Sequence, residues 1–381
     1  MRFLLLLTTL LLAACGSQGL HLKKDTAVDP LPQIKANLAF TCRHERIPDA
    51  SADSDQLFQY ARWLQKNNQL KEDPAVDAEV ERLYRIAAEN GHYKATINLV
   101  NGAMRGHFQV RGAERLRLSQ ELIEAGVATG YYFVGLFLQR GSAGLREDQA
   151  MALRYYRKAA DEGSALAQAL VADKLAPIDI APEIARQMRR CAAEQGHGEA
   201  ATNLGVDLKI DRRFPEALEA FQLGVAAGDS SSASFLSNGF RGPQPVDQLY
   251  YLGQQEDLER AERYDKIRRI VGNYSYASPS VPEINEIVPL PPAKLPPWDG
   301  TLQWLEAREA NIPPPKPGEA LIRQLAQTRQ LDPVTGRPLP GSPHFVKVGA
   351  ERRETKPQTL SGARGAREIM LQPNLQARSR L

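Results

Sequence analysis

The side chains most often used in catalysis are sparse in this 381-residue sequence and form no familiar constellation. It contains no HExxH, Gly-x-Ser-x-Gly, P-loop or Cys-x-x-Cys pattern, so the residues of several common enzyme classes are missing. His92 and His197 each follow a glycine, where a polar residue in the turn before a helix is the simpler interpretation. His44 and Glu45 are adjacent, but no second metal ligand stands at a useful spacing. The sequence therefore predicts no enzyme, no cofactor and no metal site.

A cysteine near the start has a context that favours lipid attachment. Arg2 precedes an apolar run over 3–12, which suits a signal-peptide core and is too short to span a bilayer as a mature helix. The run leads into LAAC, which ends at Cys15 and resembles the bacterial lipobox. This resemblance implies a signal peptide over 1–14, acylation of Cys15 and a lipidated tether and lead-in over 15–53, held durably by several acyl chains. An ordinary secretory signal with a stray cysteine is the alternative.

The residues after the lipobox bear on the compartment. No Asp directly follows Cys15, which by resemblance to lipoprotein sorting rules favours the periplasmic, inner leaflet of the outer membrane. In that oxidising compartment Cys42 and Cys191 form a possible disulfide. Cys191 lies on a predicted helix among alanines, where a small buried residue also fits. Their separation along the chain does not establish proximity, so a bridged and an unbridged pair both remain open.

Composition and charge are those of a folded, exported chain with a different tail. The chain is 43% hydrophobic and 24% charged, with a net charge of +3. Residues 344–381 carry eight basic and three acidic side chains and little apolar content, which predicts a basic, disordered tail. Nothing else in the sequence resembles nucleic-acid recognition, so we expect no nucleic-acid partner.

Internal repetition is the strongest pattern in the sequence. Five glycines recur at spacings of 35, 37, 33 and 32 residues: Gly91, Gly126, Gly163, Gly196 and Gly228. A small residue follows each glycine after four positions, an aliphatic residue after eight, and an aromatic precedes three of them by seven. Such a glycine ends one helix in a left-handed conformation, and the small residues let the next helix approach closely. The pattern predicts helices at 54–67, 75–89, 93–105, 112–125, 128–140, 147–162, 164–175, 181–195, 198–209, 214–227 and 230–239.

The repeat resembles a known type. The stretch YYRKAADEG ending at Gly163, the Ala167-Gln168 pair that follows it and Asn203-Leu204-Gly205 are similar to the SEL1 repeat, a relative of the tetratricopeptide repeat. The resemblance assigns SEL1-like repeats to 54–242. It implies an all-α fold, a right-handed α-solenoid with a concave binding face, and no particular reaction.

The chain beyond the repeats changes character. A charged amphipathic helix at 256–271 is expected to cap the solenoid, with an apolar stripe of Leu258, Ala261, Tyr264, Ile267 and Val271. Seven prolines between 279 and 297 predict an extended path over a surface. Short helices are expected within 301–310 and 318–330. Together 243–343 form a capping helix and a Pro/Trp-rich arm, whose Trp298 and Trp304 either dock the arm on the solenoid or contact a partner.

The combination of lipobox, SEL1-like repeats and the IVPLPPAKLPPWDGTLQW arm resembles a group of bacterial lipoproteins. Members of that group act as periplasmic immunity proteins against phospholipase D effectors of type VI secretion. The resemblance extends to about residue 343 and implies a cognate phospholipase D effector as partner and a membrane anchor at Cys15. The lipase's own motif, His-x-Lys-x4-Asp, is not completed here, because the positions that need Asp are Val28 and Leu99.

Two other functions compete with the immunity hypothesis. One is a SEL1-repeat scaffold or assembly factor of the cell envelope. The other is a periplasmic enzyme, such as the β-lactamase-like activity claimed for cysteine-rich SEL1 proteins. Those proteins carry a cysteine pair in each repeat, whereas here Cys191 alone falls within the repeats. An adjacent phospholipase gene would decide for immunity.

The partner surface is predicted on the helices that begin after the repeat glycines, which line the concave side of such superhelices. The residues on these helices that are not evidently needed for helix packing are Asn98, Tyr131, Tyr132, Gln139, Asn203 and Asp207. Two adjacent tyrosines on one helix cannot both face the same neighbour. Either one of them turns toward a groove, or both fill gaps between repeats.

Overall fold

The computed structural model describes residues 38–177 and 181–345, and every regular element of these residues is helical. The chain divides into Met1–Ala39 and Phe40–Leu381, and the helices described below all lie in the second unit. The repeat helices are α1 (Ala52–Asn68), α2 (Pro74–Glu89), α3 (Tyr93–Met104), α4 (Gly112–Glu124), α5 (Thr129–Arg140), α6 (Gln149–Asp161), α7 (Ala165–Leu175), α8 (Pro182–Glu194), α9 (Gly198–Ile210), α10 (Phe214–Ala226) and α11 (Ser230–Gly239). They are followed by α12 (Leu258–Asn273), a 3₁₀ turn (Ser275–Ala277), α13 (Ile284–Ile287), α14 (Gln303–Ala310) and α15 (Glu319–Thr328).

The predicted all-α solenoid is confirmed. Each repeat helix packs mainly against the next along the chain, and contacts between alternate helices join α5 to α7, α8 to α10 and α9 to α11. The ends of α1 to α12 differ from the predicted ranges by at most two residues. Local capping explains this agreement: His92, Asp148, His197 and Asp229 each accept a backbone N–H in the first turn of the helix that follows.

The repeat spacing has the packing role expected of it. All five repeat glycines have positive φ, between 75° and 110°. The small and aliphatic residues that follow them are buried, as are the aromatics that precede them. A Cβ on Gly205 would lie 2.5 Å from the ring of Phe221, and one on Gly135 would lie 2.7 Å from the ring of Tyr156. In these two repeats the glycine nine positions after the repeat glycine therefore leaves room for the aromatic of the next repeat.

The core consists of two large apolar clusters at opposite ends of the solenoid. The first gathers α1 to α5 and also Ile322, Leu325 and Ala326 of α15. The second gathers α9 to α12 and also Val281 and Ile284 of the arm. The arm thus leaves α12, completes the core beside it and then returns to complete the core at the other end.

Two expectations for the region after the repeats were wrong. Leu258 is 51% exposed, because it is the first residue of α12 and precedes the turns that face the core, whereas the other four stripe residues are buried. The proline-rich segment is not wholly extended over a surface. It contains α13, and Val281, Ile287 and Val288 are buried in the second cluster because these apolar residues cover the side of α10 and α12.

The lead-in before α1 is fastened to the repeats. Cys42 and Cys191 of α8 form a disulfide, with 5.6 Å between their Cα atoms. The N–H of Glu45 donates to Gln195 Oε1 at 2.8 Å, and the Glu45 carboxylate accepts from the hydroxyl of Thr129 at 2.9 Å. The sequence left this disulfide open, and the structure forms it because the lead-in lies across the end of α8 and the start of α5.

Candidate partner-binding surface

A polar cleft of about 370 Å³ lies where α1 and α3 face the chain that follows α12. Amide side chains are the commonest in its lining. The polar lining residues are Gln65, Asn68, Gln69, Asn98 and Asn101, the cations Arg62 and Arg105, the carboxylates Glu72 and Asp77, and His107, Tyr276 and Ser278. Polar side chains gather here because α1 and α3 turn their apolar residues, such as Leu57 and Leu99, toward the first core cluster. The cleft is therefore a polar groove on the row of odd-numbered helices.

A second cavity, of about 290 Å³, lies between α1 and α14. Its lining is aromatic, basic and amide, and includes Trp63, Lys66, Asn67, Trp304, Arg308 and Asn311. Asn311, at the end of α14, accepts from Trp63 Nε1 at 3.0 Å and exchanges hydrogen bonds with the side chain of Asn67. These bonds hold α14 across α1, although α14 itself contains no buried residue.

Three cations meet at these two cavities. Burial lowers the pKa of the Lys66 ammonium, and the positive charges of Arg62 and Arg308 lower it further. Arg308 lies 5.4 to 5.8 Å above the rings of Tyr274, Tyr276 and Trp304 and donates to the Tyr276 hydroxyl. The region is thus a positively charged surface with rigid aromatic walls. We call Arg62, Trp63, Lys66, Trp304 and Arg308 the basic cleft.

The two tryptophans of the arm have different surroundings. Trp298 packs against the second core cluster, below Lys266 and Arg263, and its Nε1 donates to the carbonyl of Thr301. Trp304 lines the second cavity with Trp63. Trp298 therefore docks the arm, while Trp304 belongs to the candidate surface.

Of the predicted partner-contacting residues, Asn98 lines the polar cleft between α1, α3 and the chain after α12. Its side-chain amide donates to the Tyr84 hydroxyl at 3.2 Å. Tyr131 and Tyr132 are both half-buried and contact α6 through Tyr155 and Tyr156 respectively. Burial raises the pKa of Tyr132, whose ring packs against the first core cluster. Tyr132 therefore has a structural role whether or not it also contacts a partner.

The other three predicted residues lie away from the cleft. Gln139 accepts from the Tyr156 hydroxyl at 2.5 Å, and Asn203 is half-buried on α9. Asp207 pairs with Arg189; burial raises the pKa of its carboxyl, and that arginine opposes the rise. Internal bonds thus occupy Gln139 and Asp207, and a partner role for all six residues stays a prediction.

Sequence reasoning did not single out Arg62, Trp63, Lys66 or Arg308. They come together because the arm returns from the far end of the solenoid, so that α1 and α14 meet across some 240 residues of chain. Their spacing was the available signal. Trp304 and Arg308 stand four residues apart, and so do Arg62 and Lys66, which places each pair on one face of its helix.

Two clusters of metal-ligating residues occur in the described part of the chain. In one, Cys42, His44 and Cys191 are close, but both sulfurs belong to the disulfide. In the other, Glu89 and Glu121 lie near His344, and the Arg117 guanidinium pairs with both carboxylates. Arg117 thus supplies the positive charge that these carboxylates need. Within the described residues, no helix is long and apolar enough to cross a membrane.

Comparison with known proteins places this architecture among solved structures. Residues 232–339 match the model of a domain of unknown function, DUF6396. A Pseudomonas aeruginosa protein, PA5086, superposes with a TM-score of 0.51 at 27% identity, covering 66% of this chain and 95% of its own. The fold is shared. A search of curated proteins finds no match.

Two further Pseudomonas aeruginosa structures have the same fold, and both are described as immunity proteins. Pa5087 has a TM-score of 0.51 at 24% identity, over 67% of this chain and 95% of that one. PA5088 has a TM-score of 0.52 at 23% identity, over 66% and 94%. Nearly the whole of each of these three proteins therefore has a counterpart in this chain.

Proposed function

We propose that this chain is a non-catalytic, protein-binding lipoprotein: an immunity protein that neutralises a type VI secretion phospholipase D toxin in the periplasm. The observation that carries the proposal is the fold, which is shared along nearly the full length of two proteins described as immunity proteins. The immunity-lipoprotein resemblance of the repeats and arm supports the same conclusion. A helical-repeat body suits this task because it offers an extended surface to a folded partner.

We propose binding rather than catalysis because His92, the histidine whose surroundings most resemble the phospholipase D motif, has a structural role. His92 Nδ1 accepts the N–H of Ala95 at 3.1 Å, and its Nε2 lies 3.1 Å from Asp55 Oδ1. The ring is buried and stacked on Phe58, with 4.2 Å between centroids. Both nitrogens therefore serve the start of α3 and its link to α1.

The envelope location rests on Cys15 and on the disulfide. Cys15 lies outside the described residues, so its acylation is proposed from the lipobox alone. Disulfides such as Cys42–Cys191 form and persist in oxidising compartments, of which the periplasm is one. Labelling cells with a fatty-acid analogue should mark the wild type and not Cys15→Ala. Label retained by Cys15→Ala would overturn the anchor.

The test of the proposed function begins with the neighbouring genes, where the proposal expects a phospholipase D effector. Co-expression of that effector in the periplasm should arrest growth, and this chain should restore it. Circular dichroism of the exported full-length chain serves as the folded-state control, since its described regular elements are helical. Growth arrest that a well-expressed, exported chain fails to relieve would contradict the proposal and favour an envelope scaffold.

A further inference from the structure

The three cations of the basic cleft lack the carboxylate partners that several partly buried arginines of this protein have. Arg82, Arg85, Arg117, Arg186 and Arg189 each pair with at least one carboxylate. Arg62, Lys66 and Arg308 form no ion pair with any carboxylate of the described residues, and Arg62 donates instead to the Gln65 amide. Like charges placed together raise the energy of the free protein, and an anionic ligand relieves that repulsion.

The walls of the cleft have the composition of a binding hot spot. Tryptophan, tyrosine and arginine are enriched at the centres of protein interfaces, because each offers a large, rigid contact area with a polar group. Trp63, Trp304 and Tyr276 line the cavities here beside Arg308. Ile312, just beyond α14, adds an apolar side chain that is 79% exposed. These aromatics are only partly covered by the protein itself.

The neighbouring polar cleft indicates what kind of anion fits. Its amides, such as Asn98 and Asn101, offer both donors and acceptors, which match the N–H and C=O groups of a polypeptide. A phosphate group offers acceptors alone, whereas an extended peptide offers donors and acceptors along its whole length.

We propose that the basic cleft and the amide-lined cleft beside it bind an acidic, extended segment of the partner protein. Its carboxylates meet Arg62, Lys66 and Arg308, an apolar or aromatic side chain packs between Trp63 and Trp304, and its backbone continues along the amides of α3. This inference rests on the proposed function, since it names the surface and the partner chemistry through which the toxin is held. Anionic lipid is the competing occupant.

The test measures binding of three probes to purified protein. The first is a fluorescein-labelled peptide of alternating glutamate and glycine, with a glutamine peptide as its neutral counterpart. The second is the phospholipase effector that the proposed function expects, and the third is phosphatidylglycerol vesicles. Lys66→Gln, Arg308→Gln and the double variant are compared with Lys94→Gln, which removes an exposed cation of α3 that lines neither cleft. Lys66 belongs to neither large core cluster, so Lys66→Gln is expected to keep the fold.

We expect each cleft variant to bind both probes roughly tenfold more weakly, with larger loss in the double variant and no change in Lys94→Gln. Effector binding that survives the double variant unchanged would overturn the basic cleft while leaving the immunity function intact. Glutamate-peptide binding lost in the variants, with no effector binding by the wild type, would support the cleft and contradict the proposed function. Loss of binding to phosphatidylglycerol vesicles with unchanged peptide and effector binding would assign the cleft to lipid and overturn the inference.

Discussion

Gly163 joins the two features that shape this protein, the repeat turn and the fastened lead-in. Its φ is +110°, and a Cβ added there would lie 2.7 Å from the carbonyl carbon of His44 and 2.8 Å from the nitrogen of Glu45. Both atoms are backbone, so no side-chain rotation relieves the contact. Gly196 occupies the same position in the next repeat with φ of +85°, and a Cβ there meets nothing within 4 Å. Gly163→Ala and Gly196→Ala are therefore a matched pair.

The two substitutions share the cost of a left-handed alanine, about 1–2 kcal/mol. Gly163→Ala adds overpacking against the lead-in, which typically costs a further ~1–3 kcal/mol. The lead-in cannot simply move away, because the Cys42–Cys191 disulfide holds it on one side and the Glu45 N–H bond to Gln195 holds it close by. We expect Gly163→Ala to lose about 2–5 kcal/mol of unfolding free energy.

Urea denaturation, monitored by circular dichroism, measures the loss of unfolding free energy in each variant. The two losses are comparable when the unfolding free energies of the variants depend equally on urea concentration. Repeating the pair in a Cys42→Ser background adds a coupling measurement, because a released lead-in can move away from a new methyl group. The excess cost of Gly163→Ala over Gly196→Ala should then shrink. Equal costs for both variants in the wild-type background would refute the proposed contact between the lead-in and the repeat turn.

Three other outcomes follow from the same contacts. Cys42→Ser opens a bridge between residues 149 apart and should cost about 2–5 kcal/mol; dithiothreitol should lower the urea midpoint of the wild type and not of the variant. Burial lowers the pKa of His197 in the folded protein. As pH falls below the ordinary histidine pKa, the unfolded chain therefore binds a proton before the folded protein does. The free energy of unfolding is highest above the ordinary pKa and decreases until the pH has fallen through the lowered value. His197→Asn keeps an acceptor for the Ala200 N–H and should remove this part of the acid loss in pH-dependent urea midpoints. Tyr132→Ala should lower the melting temperature by more than Tyr131→Ala, corresponding to about 2 kcal/mol or more, because Tyr132 packs on a core cluster.

The repeats were predictable because their determinants are local. A glycine that ends one helix, a cap such as His197 and a small residue four positions after the glycine all act within one turn of chain. The same signal recurs five times, so each copy supports the others. This is why helix ends over α1 to α12 could be predicted from sequence closely.

The arm and the candidate surface were not predictable in the same way. Asn311 meets Trp63, and Ile322 joins the first core cluster, only because the chain returns across the solenoid. Proline-rich composition predicted an extended path and gave no sign that Val281 and Ile284 would be buried. Leu258 shows the limit of periodicity at a helix end, where a residue in phase with the stripe still precedes the packed turns.

The predicted partner-contacting residues differ in the same way: the repeat pattern predicts the helix on which each lies but not its internal bonding partners. Asn98 lines the cleft because it lies on a helix whose face the repeat pattern fixes. Asp207 also lies on such a helix, but Arg189 of α8 pairs with it, and no sequence spacing indicated that ion pair. A polar residue on the predicted face is therefore a candidate only until its internal partners are known.

The proposed function expects a phospholipase D effector encoded beside this chain, and titration of that effector with the purified chain tests the central claim most directly. Calorimetry and lipid hydrolysis are measured on the same samples. We expect a saturable complex and loss of hydrolysis as the chain reaches stoichiometric amounts. An effector that releases no binding heat and hydrolyses lipid at full rate in excess of a folded, disulfide-bonded chain would contradict it.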